Sequence, residues 1–280
     1  MAKISPRPGD RIQNCRAVLV SNVIPRDSLR PSAKRMAPVD QPGTRHGRRV
    51  LGDLTAALVL ALGVLGGTWR LLALPASFAL IGIAFYVSLA GLVLWTLPRD
   101  LPGPGMGPAN RVTLGRATLA VPVFALSLQP GTLGPTGQWF VMVLSTVVLI
   151  LDGLDGRIAR LRDMQTSFGA RFDMEVDAAL IMALAVLVWR SGRVGPWVLL
   201  IGLMRYAFVV AARIWPALGA ELPPSMRRKV VCVIQGAVLL VALGPIIPGG
   251  MAVVVAAAGL AALSYSFGVD VRWTLRTRAR

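Results

Sequence analysis

Apolar runs of about 18–25 residues, each closed by proline, glycine or arginine, recur from residue 51 to residue 268 and leave few folds open. A helix of that length crosses the roughly 30 Å hydrocarbon layer of a bilayer and satisfies its own backbone hydrogen bonds there. Eight helices are predicted, at 51–69, 75–97, 111–128, 137–151, 170–189, 195–214, 229–244 and 250–268. The fourth is short for a span and is expected to continue past Asp152 into the aqueous phase. The mean hydropathy of +0.64 reflects these segments and not a uniform bias. The fold class that follows is an all-α polytopic membrane protein.

The net charge of +17 sits in the tails and short loops beside the apolar runs, not on a basic helix interleaved with aromatics, which argues against nucleic acid as a partner. Lys and Arg flanking membrane segments accumulate on the cytoplasmic side. Eight crossings put both Arg-rich termini there, together with Arg99, Arg157, Arg160, Arg162, Arg227 and Arg228. Arg190 and Arg193 are the exception, falling in an outside loop. Residues 1–49 read as a disordered basic cytoplasmic tail, 50–98 as an appended hairpin and 99–109 as a Pro/Gly linker. Residues 110–270 hold the other six helices, and 271–280 form a second basic tail. Asp53 is expected to be a helix cap or an interfacial charge at the start of the first helix, with a polar contact within the hairpin as the alternative.

Several chemistries are excluded early. Cys15 and Cys232 are isolated from each other and from His46, the one histidine, so neither a zinc site nor a Ser-His-Asp triad is supported. Among 13 acidic residues, Asp152, Asp155, Asp163, Asp173, Glu175 and Asp177 crowd one window. On a helix, Asp152, Asp155, Gly156, Ala159 and Arg160 share a face. Gly169, Asp173 and Asp177 share a face of the next helix, while Asp163 and Glu175 fall off both faces and are expected to meet solvent. Opposed, the two faces make a pocket of four carboxylates that needs a compensating cation. All-oxygen ligation favours Mg²⁺ or Mn²⁺, with room for two ions that could hold a diphosphate.

The segment D-x2-D-G-x2-A-R-x8-G-x3-D-x3-D, filled here by Asp152, Asp155, Gly156, Ala159, Arg160, Gly169, Asp173 and Asp177, resembles the signature of the CDP-alcohol phosphatidyltransferases. Asn110, Arg111, Val112 and Thr113 are similar to the start of that family's first core helix. The resemblance implies a six-helix membrane core preceded here by two additional transmembrane helices. It implies transfer of a phosphatidyl group from CDP-diacylglycerol, or a similar CDP-linked donor, to an alcohol with release of CMP in phospholipid biosynthesis. It further implies metal ligation by Asp152, Asp155, Asp173 and Asp177, and Asp177 as the base that deprotonates the acceptor. Asn110, Thr113, Gly156, Ala159, Arg160, Thr166 and Gly169 are the implied CDP-lipid contacts. A homodimer in a bacterial cytoplasmic membrane, with its site facing the cytoplasm, completes the expectation.

The acceptor is less legible. Arg205 lies inside the sixth predicted helix, where an uncompensated charge costs about 2.5–3.5 kcal/mol. Either it binds a phosphorylated acceptor such as glycerol 3-phosphate or inositol phosphate, with Arg171, Arg228 and Lys229, or it pairs with a core carboxylate. Tyr206 and Trp189 read as packing or interfacial aromatics. The competing function is a transporter or channel using intramembrane carboxylates and Arg205. Such a path should spread polar groups along several helices, whereas here the acids gather at one edge.

Overall fold

The computed structural model describes residues 42–97, 105–129, 131, 133–161, 167–215 and 225–278. Eight α-helices are present among them: α1 (Pro42–Leu71), α2 (Ala76–Thr96), α3 (Pro108–Leu128), α4 (Pro135–Leu161), α5 (Ser167–Arg190), α6 (Leu199–Ile214), α7 (Met226–Leu243) and α8 (Gly249–Arg278). A short 3₁₀ turn at Pro196–Val198 leads into α6. Six of the eight are long and apolar enough to cross a membrane. α5 carries the acids and α7 opens on Met-Arg-Arg-Lys, which lowers their hydropathy, yet both pack in the same bundle. Large apolar side chains such as Leu80, Val87, Trp95, Val143, Val210 and Val254 point outward, as a surface facing lipid requires.

Two expected boundaries need correction. α1 starts at Pro42, so residues 42–49 are helical and not part of an irregular tail, and Val50 is already buried. α8 runs on to Arg278, so the C-terminal basic segment continues a helix. Its extension is tied down by Arg227 of α7, which pairs with Asp270 at 2.5 Å and donates to Ser266. α4 continues through Asp152 to Leu161 as one helix, as expected.

α3 is the centre of the bundle. Seventy-two per cent of its most apolar stretch is buried, against 17–28% for the other apolar helices. Small residues at Ala117, Ala120 and Ala125 let α1, α2, α4 and α5 pack around it. The N-terminal hairpin is therefore built into the bundle. Leu54, Ala57 and Ala61 of α1, with Tyr86 and Val93 of α2, pack with Leu114 and Ala117 of α3 and with Phe168, Phe172 and Val176 of α5. The Tyr86 hydroxyl donates to the Leu54 carbonyl, locking the hairpin.

Asp53 corrects another expectation, since its partners lie outside the hairpin. Its carboxylate accepts the Met106 N–H at 3.1 Å and pairs with Arg111 Nε at 2.9 Å. It thereby fixes the turn that starts α3. Gly105 and Gly107 have φ of +72° and +80°, and a Cβ on Gly105 would come within 2.7 Å of Asp53 Oδ2. Glycine is needed there for both reasons.

At the far end, Arg190 and Arg193 account for their departure from the positive-inside pattern. Arg190 donates to the carbonyls of Ser127 and Gly131 at the end of α3 and just beyond it, and Arg193 to those of Leu243, Gly244 and Pro245 at the end of α7 and just beyond it. Both cations neutralise helix C-termini, which would otherwise leave unsatisfied carbonyls. Their position is set by capping.

Close helix approach makes one test of this packing. A Cβ on Gly202 of α6 would sit 2.8 Å from the Met182 backbone of α5, whereas one on Gly67 of α1 meets nothing within 4 Å. Gly202→Ala is expected to lower the melting temperature of the detergent-solubilised protein by roughly 2–4 °C. Gly67→Ala should leave it unchanged or slightly raised in the same scanning-fluorimetry series.

Candidate active site

Three helices bring the site together where α3 begins, α4 leaves its apolar stretch and α5 begins. α5 has two working faces. Phe168, Phe172 and Val176, at intervals of four, pack against the hairpin and α3, with the two rings stacked at 5.9 Å. Asp173 and Asp177 are thereby turned toward α3 and α4, where Asp152 projects from the last apolar turns of α4. One oxygen from each of these three carboxylates lies within 4.8 Å of the others.

Arg116 of α3 stands at the base of this cluster. Its Nη1 lies 2.6 Å from both Asp152 Oδ1 and Asp173 Oδ1, and its Nη2 lies 2.7 Å from Asp177 Oδ1. The guanidinium side chain is 1% exposed, while the carboxylates keep 21–38%. The site is therefore closed beneath the cation and open above the anions. Three carboxylates against one guanidinium leave it net anionic, so it retains capacity for further positive charge.

The donor set fits a hard divalent ion, because it is all oxygen, clustered and accessible from one side. Asp155, the fourth expected ligand, lies with Gly156, Ala159 and Arg160 on the last turns of α4, where the described structure is limited to the backbone. Thr166 and the Lys229 side chain lie outside the described residues. Gly169 occupies the first turn of α5.

Asn110 and Thr113 are buried one helical turn apart on α3, below Arg116 in sequence. Asn110 donates to the Met106 carbonyl at 2.7 Å and Thr113 to that of Ala109 at 3.3 Å. Their side chains are held against their own helix start.

Arg205 corrects a further expectation. Its partner is not a core carboxylate but Glu175, at 2.5 Å, which is exposed as expected. Arg205 Nε remains buried without a partner. Arg171 is exposed on α5, and Arg228 is engaged in an interaction at the start of α7.

Sequence reasoning missed Arg116. Two signals pointed to it: a lone arginine inside an apolar segment needs a counter-charge, and a cluster of aspartates needs a cation. The second need was assigned wholly to metal.

Residues 106–265 match the family model described as CDP-alcohol phosphatidyltransferase, more than half of the chain. A CDP-diacylglycerol–glycerol-3-phosphate 3-phosphatidyltransferase from Cereibacter sphaeroides is 30% identical over 82 residues, covering 28% of this chain and 37% of that relative. The match thus spans little more than a third of the relative's length. No solved structure matches. An all-helical bundle with six apolar helices, an acidic cluster at one end and a family match that includes every helix of the cluster establish this chain as an integral membrane member of the CDP-alcohol phosphatidyltransferase family.

Proposed function

We propose that the protein transfers a phosphatidyl group from CDP-diacylglycerol to an alcohol, releasing CMP. The observation that carries the reading is the cluster of Asp152, Asp173 and Asp177, open on one side, at the end of the α3–α4–α5 packing. The family match adds the reaction class.

Asp152, Asp155, Asp173 and Asp177 would hold the divalent ions, Mg²⁺ or Mn²⁺, and two ions suit four carboxylates. Bound there, such ions supply charge screening of the pyrophosphate and stabilisation of departing CMP. The remaining chemistry falls to the chain. Asp177 takes the proton of the acceptor hydroxyl. The hydroxyl oxygen bonds to the β-phosphorus, which carries the lipid, while the bond from that phosphorus to the bridging oxygen breaks and CMP leaves with the electron pair. Rate is gained by positioning and by fixed charge. Asn110, Thr113, Gly156, Ala159, Arg160, Thr166 and Gly169 are the proposed CDP-lipid contacts, the small ones allowing the backbone to approach the nucleotide.

A site at the membrane boundary suits the donor, whose acyl chains stay in lipid while its nucleotide meets water. The arginine-rich termini orient that boundary toward the cytoplasm, in the cytoplasmic membrane of a bacterium, with a homodimer as the assembly. The acceptor we favour is phosphorylated, with glycerol 3-phosphate first, the substrate in the Cereibacter sphaeroides relative's name. Arg205, with Arg171, Arg228 and Lys229, would receive its phosphate, Glu175 holding Arg205 in place beforehand. The gathering of the acids at one locus favours this reading over a transport path.

Purified protein incubated with CDP-diacylglycerol, Mg²⁺ or Mn²⁺ and a panel of alcohols should release CMP and yield phosphatidylglycerol phosphate by mass spectrometry when glycerol 3-phosphate is present. EDTA should abolish turnover, and Asp152→Asn, Asp173→Asn and Asp177→Asn should each reduce it by about 10²-fold or more. Turnover retained in EDTA would refute the metal assignment. Arg205→Ala is expected to raise the acceptor KM well above any change in the donor KM; equal shifts would count against its acceptor role.

A further inference from the structure

We infer that Arg116 is an internal counter-cation at the closed base of the carboxylate cluster, sharing the carboxylates that would ligate the divalent ions, and must give up oxygens as those ions bind. This rests on the metal-dependent reading above and adds a positioning residue to it.

The contacts carry the inference. Two terminal nitrogens are shared among three carboxylates from two helices, so Arg116 cross-links α4 and α5 to α3 through a single buried group. The oxygens it uses belong to the residues whose carboxylates approach within 4.8 Å, the spacing a shared ion requires. Guanidinium and ion therefore compete for Asp152, Asp173 and Asp177. The fit of the guanidinium is also incomplete, because Arg116 Nε is buried with no hydrogen-bond partner. A permanent structural arginine that deeply buried would ordinarily be satisfied at every N–H, since an unmade buried bond is costly.

The physical role follows from charge. Without a cation, three carboxylates beside an apolar core repel one another and would splay the helix ends. Arg116 holds them converged before any ion arrives. The cost of that service is weaker ion affinity, because each incoming ion displaces an existing ion pair.

Mn²⁺ binding read by electron paramagnetic resonance on the purified full-length protein tests this without turnover. Arg116→Gln is expected to bind Mn²⁺ at least about tenfold more tightly than the wild type. It should also show a lower melting temperature in EDTA and a larger rise on adding Mn²⁺. Arg116→Lys keeps the charge on one nitrogen, folds more readily and should fall between the two. A folded variant of either kind that binds Mn²⁺ with unchanged or weakened affinity overturns the inference, because simple structural damage lowers affinity. Tight Mn²⁺ binding in the wild type alongside that result leaves the metal assignment standing. No Mn²⁺ binding by the wild type would overturn both.

Discussion

Arg116 and the three aspartates around it form the contact on which the bundle's working end depends. A guanidinium 1% exposed within an apolar helix would be prohibitive alone, and three carboxylates within 4.8 Å would be prohibitive without a cation. Each makes the other tolerable. Because Asp152 belongs to α4 and Asp173 and Asp177 to α5, their shared partner on α3 also sets the separation and rotation of those helices. The burial of α3 follows the same logic, since only a helix surrounded by others can present a charge to two neighbours at once.

The surroundings support this contact from behind. Phe168, Phe172 and Val176 fasten the outer face of α5 to the N-terminal hairpin, so the aspartates on its other face have little freedom to turn away. Asp53 reaches from α1 to the turn at Gly105–Gly107 and to Arg111, fixing where α3 starts and hence where Arg116 lies. The hairpin lies wholly before the family match at residues 106–265, yet it positions the site. Its contribution is mechanical, through packing, the Asp53–Arg111 ion pair and the hydrogen bond from Met106 N–H to Asp53.

Much of this was legible in the sequence because membrane helices announce themselves by length and hydropathy, and because Asp152, Asp155, Asp173 and Asp177 keep helical spacing. The eight helices and the convergence of Asp152, Asp173 and Asp177 follow from those two signals. What escaped were pairings across helices, which carry no periodic trace. Arg116 lies in an apolar run whose average hydropathy masks its charge. Glu175 stands off the acidic line and is exposed, as its helix face implies, but nothing in the spacing along α5 shows that α6 supplies Arg205 on that side. Arg190 and Arg193 break the positive-inside pattern, and the reason, their pairing with the carbonyls ending α3 and α7, has no sequence signal. The helix extensions at Pro42 and Arg278 were missed because basic residues lower hydropathy without breaking a helix.

In the proposed reaction the converged carboxylates cage divalent ions against the donor's pyrophosphate. That caging is tested most directly by locating Mn²⁺ through its anomalous scattering in crystals grown with CDP-diacylglycerol. Manganese peaks are expected in contact with Asp152, Asp173 and Asp177 and with the donor's phosphate oxygens. Manganese bound elsewhere, with those carboxylates still wholly paired to Arg116 beside a bound donor, would contradict it.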